Sequence, residues 1–434
     1  MSARSLTHHR GRRISSGRWR AIGLAALAAL LATSTLLSGT SLYPVRTTLF
    51  HQGVNLEDGA VVTATSTTAR IAGTHVTDTG TQAALHTAQA QLRWLEEGTV
   101  LSGQWEQLTT DALLDLHVLG SGSATLLPVA GWRAAWRYLW PRDSAAVAVA
   151  LAATGHTADA IALLQFFQDV QREDGSFAAR YTSDGAEVAD GRAEQSDSAG
   201  WLLWAVARVN EYTDGAALSQ LRSLVDRSTE YLLTITATGL PPASSDSWEM
   251  QETDLTLGTA ATALMGLEAA RELVPTAALE ERATQLRDQI VAAFAPTFQR
   301  YAHPTTLTSW QRQGADANVA LLLPPFQPTA VPGAAAAWEK SLYLLREPAG
   351  GISPGEGWRD DGVTWMPQTT LYAWVAAVNG REDLAQNLLA FIEGHTTELG
   401  SISEKVSKDG APLSVAPLGW AAANTILAVV ALEE

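Results

Sequence analysis

From about Gln82 to the C-terminus, apolar residues recur three and four positions apart, Gly or Pro punctuates the pattern at intervals, and long β-branched alternation is missing. That spacing predicts α-helices over 82–97, 106–118, 143–154, 157–171, 197–212, 216–235, 254–273, 276–294, 315–323, 334–346, 364–378, 382–394 and 415–432. The body is therefore expected to be all-α. Residues 42–80 break the pattern. They are rich in Thr, Val and Gly, as in Val61-Val62-Thr63-Ala64-Thr65, and read as a linker with room for a short hairpin.

The helices are ordered by an internal repeat. A shift of 225 residues brings Trp140 onto Trp365, Gly155 onto Gly380, Leu163-Leu164 onto Leu388-Leu389, and Phe166 onto Phe391. The same shift brings Gly175-Ser176 onto Gly400-Ser401 and Asp184-Gly185 onto Asp409-Gly410. Each unit reads helix, tight turn, helix, then a Gly-Ser loop that ends in Asp-Gly. One such hairpin cannot bury both faces alone, so copies must stack. The helix count over 81–434 fits a closed ring of six inner and six outer helices, the (α/α)6 toroid.

The N-terminus has a different pattern. Six of the 29 basic residues, all arginine, lie within the first 20 positions, and none of the 45 acids does. From Ala21 to Pro44 no residue is charged, and Ala21–Leu37 is a dense Ala/Leu run. A basic flank before an apolar run is the pattern of a signal peptide or signal-anchor helix, here residues 1–41. With arginines on the inner side, the body is expected outside the cytoplasm, touching the membrane only through this segment.

Composition removes several chemistries. The chain has no cysteine, which excludes disulfides and thiolate nucleophiles. Its nine histidines show no metal-ligand spacing, so no metal and no cofactor is expected. A net charge of −16, with a body more acidic still, repels nucleic-acid phosphates. Nothing in the pattern asks for a second subunit, and a monomer is expected.

What remains is an excess of tryptophan, 15 in all, several at helix starts and loops: Trp132, Trp136, Trp140, Trp248, Trp310, Trp358 and Trp365. Any one of these is an ordinary core residue until shown otherwise. Two stretches set aromatic and ionisable groups side by side, Trp140-Pro141-Arg142-Asp143 and Asp246-Ser247-Trp248-Glu249. That combination suits a sugar, whose C–H face stacks on indole and whose hydroxyls bind charged groups. In the repeat, Glu404 falls opposite Ala179, so the second loop carries an acid that the architecture does not require. Glycosidic hydrolysis uses two carboxyl groups, one protonated and one ionised. Trp248 would shield Glu249, while Ser403 and Lys405 would keep Glu404 ionised. Asp143, Asp246 and Glu252 stay open as alternatives.

These motifs resemble glycoside hydrolase family 15, the glucoamylase and glucodextranase family, which also includes some trehalases. The resemblance runs from about Trp140 to Leu432. Tyr138-Leu139-Trp140-Pro141-Arg142-Asp143 is similar to the family's first catalytic loop, which implies that Arg142 and Asp143 grip the terminal glucose. Asp246-Ser247-Trp248-Glu249 is similar to the general-acid segment and points to Glu249. Gly400-Ser401-Ile402-Ser403-Glu404, followed by Leu418-Gly419-Trp420, is similar to the general-base segment and points to Glu404. Thr364-Trp365-Met366-Pro367 resembles a further substrate-cup region. Tyr138, Trp140, Asp197, Trp248, Arg359 and Trp365 complete the expected binding set, with Arg359 in place of the family's sugar-clamping arginine. The implied fold is the (α/α)6 toroid. The implied activity is exo-acting, inverting release of glucose from the non-reducing end of an α-glucan or oligosaccharide. A trehalase, or a surface-tethered sugar-binding protein without activity, is the alternative.

Overall fold

The computed structural model describes residues 53–123 and 125–433. The expected signal or anchor, residues 1–41, lies outside the described residues. Among those that are described, no helix is long and apolar enough to cross a membrane.

Among the described residues, twelve longer helices carry the body. They are α1 (Gln82–Glu97), α2 (Glu106–Gly120), α3 (Pro141–Ala153), α4 (Thr157–Val170), α5 (Ser198–Glu211) and α6 (Arg222–Ile235). The rest are α7 (Leu257–Leu273), α8 (Ala277–Phe294), α9 (Ala334–Leu344), α10 (Met366–Val378), α11 (Glu382–Gly394) and α12 (Gly419–Glu433). Threonine hydroxyls at Thr81, Thr256 and Thr276 accept from the backbone three residues on and start α1, α7 and α8. Proline in the first turn starts α3 and α10. Two expected helices are corrected. The span 216–235 is broken at Leu221 into a short helix, Ala216–Gln220, and α6. The span 315–323 is a 3-10 turn, Ala317–Leu322, capped by the Asp316 carboxylate accepting from the Asn318 amide.

The helices sort into two layers by composition. Helices α3, α10 and α12 are buried over most of their length and built largely from Ala, Val and Leu. Helices α6, α8 and α11 bury one stripe, for example Ala385, Leu388, Leu389 and Ile392 on α11. Around the ring, α3 packs on α5, α5 on α7, α7 on the 3-10 turn, that turn on α10, α10 on α12, and α12 on α3. Behind these six stand α4, α6, α8, α9, α11 and α2. The first outer helix, α2, backs the last inner one, α12, so the ring closes. This is the (α/α)6 toroid. Its centre is plugged by Trp201, Trp204, Phe326 and Trp374, ring against ring at 5.1–5.9 Å.

Residues 53–80, expected as linker with a possible short hairpin, are packed structure that contains such a hairpin. Strands β1 (Gly53–Glu57) and β2 (Ala60–Ala64) pair around Asp58-Gly59, both with positive φ, as a two-residue hairpin turn requires. Val54 and Leu56 are buried, and β1 packs against α1 and α2.

The repeat extends to backbone register. Leu139 bridges Tyr181, which bridges Glu187. Shifted by the repeat, these become Thr364, Val406 and Pro412, joined in the same order through β3 (Thr364–Trp365), β4 (Lys405–Val406) and β5 (Pro412–Leu413). Both units set a tryptophan at the mouth of an inner helix, Trp140 before α3 and Trp365 before α10.

Candidate active site

The inner helices begin at one end of the ring, and the loops that enter them enclose a cavity of about 260 Å³. That is enough space for a small polar guest of monosaccharide scale. Trp140, Arg142 and Asp143 line it from the start of α3, Trp365 and Gln368 from α10, and Leu418 and Trp420 from α12. Arg192, Trp248, Glu249, Trp358, Arg359 and Glu404 line it from connecting loops.

Glu249 is aimed by a tight turn. The Trp248 amide donates to Asp246 Oδ1 (3.0 Å) and the Glu249 amide to the Asp246 carbonyl (2.8 Å). Glu249 then holds φ at 53°, a left-handed conformation costing a non-glycine residue roughly 1–3 kcal/mol. Such strain persists only where the surroundings impose it, and here Arg300 does so. Its buried guanidinium donates to Asp246 (3.1 Å), Glu252 (2.9 Å) and Asp316 (2.7 Å) and lies 3.6 Å from the Trp248 ring centre. Asp246 and Glu252 are thereby held on a buried guanidinium, and neither lines the cavity. Gly355 lets Trp248 sit close; a Cβ there would lie 2.4 Å from the indole.

The surroundings of Glu249 differ from the expected apolar shield. Arg142 Nη2 donates to Oε1 (3.2 Å) and Arg192 Nη1 to Oε2 (3.0 Å). Arg142 is fixed in turn, by Gln195 (3.1 Å), Asp143 (3.4 Å) and Asp197 (3.7 Å). Arg192 is more exposed and is held by the neighbouring Asp190.

Glu404 is nearly buried. Ser414 donates to its Oε2 at 2.5 Å, Lys405 Nζ lies 3.2 Å from the same oxygen, and Trp136 Nε1 donates to Oε1 at 3.3 Å. Ser403, expected to help, donates instead to the Lys405 carbonyl. Three donors on one carboxylate stabilise a charge that burial alone would penalise. The backbone is tied as well, since the Glu404 amide donates to Val415 and its carbonyl accepts from Met366.

Burial pushes the Asp143 carboxyl up to about 6, although Arg142 opposes it. Asp197 is likewise raised to about 6 by burial against the same arginine. Asp143 Oδ2, Gln368 Oε1 and the indole nitrogens of Trp140, Trp358, Trp365 and Trp420 are buried without a protein hydrogen-bond partner.

Of the expected binding residues, Tyr138 and Asp197 do not line the cavity. Tyr138 is half-buried with its ring 6.0 Å from Trp140, and Asp197 stands behind Arg142 at the start of α5. Sequence reading missed Arg192, Gln368 and Ser414. Arg192 follows Asp190-Gly191, a turn signal with nothing catalytic about it, and Gln368 is visible only as the repeat partner of Asp143. Among the described residues, no group of three or more His, Asp or Glu is placed to hold a metal.

No protein-family model matches this chain, and no curated protein sequence does either. Solved structures do match. A structure titled wild-type glycosidase is 20% identical, with 77% of this chain and 99% of that one aligned at a TM-score of 0.63. A variant in the same series was solved in complex with glucose. A bacterial glucoamylase complexed with acarbose is 16% identical, with 80% of this chain and 61% of that one aligned at 0.64. Glucoamylase from Saccharomycopsis fibuligera is 13% identical, with 79% and 95% aligned at 0.62. The fold of this chain is that of the glucoamylases.

Proposed function

We propose that this chain is an inverting glycoside hydrolase that releases glucose from the non-reducing end of α-glucosides, with Glu249 as general acid and Glu404 as general base. The supporting observation is that two glutamates from distant loops line one sugar-sized cavity beside Arg142, Asp143 and six tryptophans. A pocket of this volume favours an end residue over an internal one, hence exo action.

In this reading Glu404 deprotonates the attacking water. Lys405 and Ser414 occupy Oε2, which leaves the weakly engaged Oε1 to accept the proton. Glu249 delivers a proton to the departing oxygen on the other side of the sugar. To do so it must free one oxygen, and Arg192 is the partner that yields, because Arg142 is pinned by three groups while Arg192 is not. Trp140, Trp248 and Trp365 wall the cup. The basic, then apolar N-terminus supports action outside the cytoplasm, where polymeric glucans are met.

Product analysis by NMR on maltose, isomaltose, trehalose and soluble starch reports linkage and anomeric outcome together. Glucose released in the β form supports the reading. Retention of configuration, or sugar binding without any hydrolysis, overturns it, and the latter outcome favours a binding protein.

A second reading makes Asp143 the acid. It is the cavity carboxyl held near 6, and its Oδ2 has only a 3.4 Å ion-pair contact with Arg142 and no hydrogen bond, while both Glu249 oxygens accept from guanidinium groups. A nitrophenyl α-glucoside decides between them, since its leaving group needs no proton. The acid variant, Glu249→Gln or Asp143→Asn, is the one that recovers rate on it.

A further inference from the structure

The loop that carries Glu404 leans on a buried polar cluster that none of the chemistry above uses. Ser401 Oγ donates to Asp115 Oδ1 on α2 at 3.0 Å. The same oxygen lies 3.1 Å from His75 Nδ1, and His75 Nε2 lies 3.3 Å from Asp111 Oδ1. Two residues along the loop, the Leu399 carbonyl accepts from Arg70 Nη1 at 3.0 Å, while Arg70 Nε donates to Asn55 on β1 at 2.9 Å. Gly400 closes the approach. Its φ is 83°, and a Cβ there would lie 2.4 Å from Asp111 Oδ2.

These contacts join three parts of the chain: the N-terminal segment, α2 and the Glu404 loop. His75 and Asp115 are fully buried, so the cluster is shielded from solvent and each contact counts for more than a surface pair. Burial pushes the His75 imidazole down, and its two aspartate partners more than reverse this, so it is raised above its ordinary value. The corresponding loop in the other repeat unit is held differently. Ser176 bonds back to Asp174, and Gly175 rests on the Arg227 backbone of α6. The bracing by Arg70 and His75 belongs only to the copy that carries the carboxylate.

We infer that residues 53–80 act as a positioning element for catalysis, with Arg70 and the His75–Asp115–Ser401 chain fixing the loop that presents Glu404. This rests on Glu404 being the base. None of these residues touches the cavity, and their effect on the reaction is through the placement of that loop.

The test uses the full chain with Arg70→Ala and Ser401→Ala, the mildest ways to open the brace, and Ser401→Thr to restore the hydroxyl. Hydrogen exchange of the amides of 400–406 is followed beside those of 175–181. The inference expects exchange in 400–406 to rise about tenfold or more while 175–181 is unchanged. It also expects kcat to fall roughly tenfold or more with KM within about twofold, and Ser401→Thr to recover most of the loss. Unchanged exchange in 400–406 overturns the brace, whatever the activity. Raised exchange with wild-type kcat overturns its role in catalysis and leaves the functional reading standing. A wild-type chain inactive on every α-glucoside overturns the functional reading, and the exchange result still decides the brace.

Discussion

Residues 139–187 and 364–412 are built alike and do different work. In both, a tryptophan precedes an inner helix, Gly155 and Gly380 make the turn to the outer helix, and Gly175 and Gly400 make the return with φ of 82° and 83°. The Arg172 amide donates to the Ser176 carbonyl in one unit, and the Thr397 amide to the Ser401 carbonyl in the other. A cation stands over each tryptophan, Arg180 at 5.7 Å and Lys405 at 4.1 Å. Their cavity-facing polar side chains differ. The first unit carries Asp143 where the second carries Gln368, and the second carries Glu404 where the first carries Ala179. Backbone and apolar positions are shared because both units solve one packing problem. Carboxylates are not shared, because each buried charge must be supported separately by its neighbours.

The sharpest way to break the comparison is to make the units alike. Glu404→Ala gives the second loop the residue of the first, and turnover should fall by about 10²–10⁴-fold with the fold retained, as steady-state kinetics and circular dichroism will show. Survival of activity would place the base elsewhere. Next, Trp140→Ala and Trp365→Ala should diverge. Trp140 is 4% exposed and its loss should cost about 3 kcal/mol or more of stability, read by urea unfolding. Trp365 is less buried, so its loss should show more in KM than in stability.

Asp143→Asn brings the first unit toward Gln368. The native carboxyl titrates near 6 against an ordinary value of 3.8, so the fold holds this proton more tightly than the unfolded chain. The contribution of this group to stability is therefore largest with Asp143 protonated and falls as pH rises from about 4 to about 6. The variant escapes that loss. It should gain on the order of 3 kcal/mol over wild type above pH 6 and nothing below pH 4, while losing substrate binding. Denaturant midpoints at pH 4 and pH 7 measure the difference. The smallest effect belongs to Ser176→Ala. That hydroxyl is exposed and bonds only within its own turn, so the change should stay within about 0.5 kcal/mol.

Much of the fold was legible because burial writes itself into composition. Inner helices had to be small and apolar all round and outer ones striped, so the count and order of hairpins could be read without coordinates. The repeat partners Ala179 and Glu404 likewise singled out, from sequence alone, an acid that lines the cavity. The exceptions share a cause. Ala317–Leu322 has the apolar content of an inner helix, but its Asp316 is taken by Arg300 and caps a tighter turn. Residues 53–80 look like a tether because their polar partners, Asp115 and Leu399, lie far along the chain.

The sequence by itself determined the class of fold, the repeat, and the residue types available for chemistry, since periodicity and composition are local properties. Tertiary structure alone decided that Arg142 and Arg192 clasp Glu249, that Arg300 withdraws Asp246 and Glu252 from the site, and that Ser414 and Trp136 attend Glu404. Those choices depend on which charges meet in a water-poor space, and closure of the ring brings them together from loops with no mark of their pairing in the linear order.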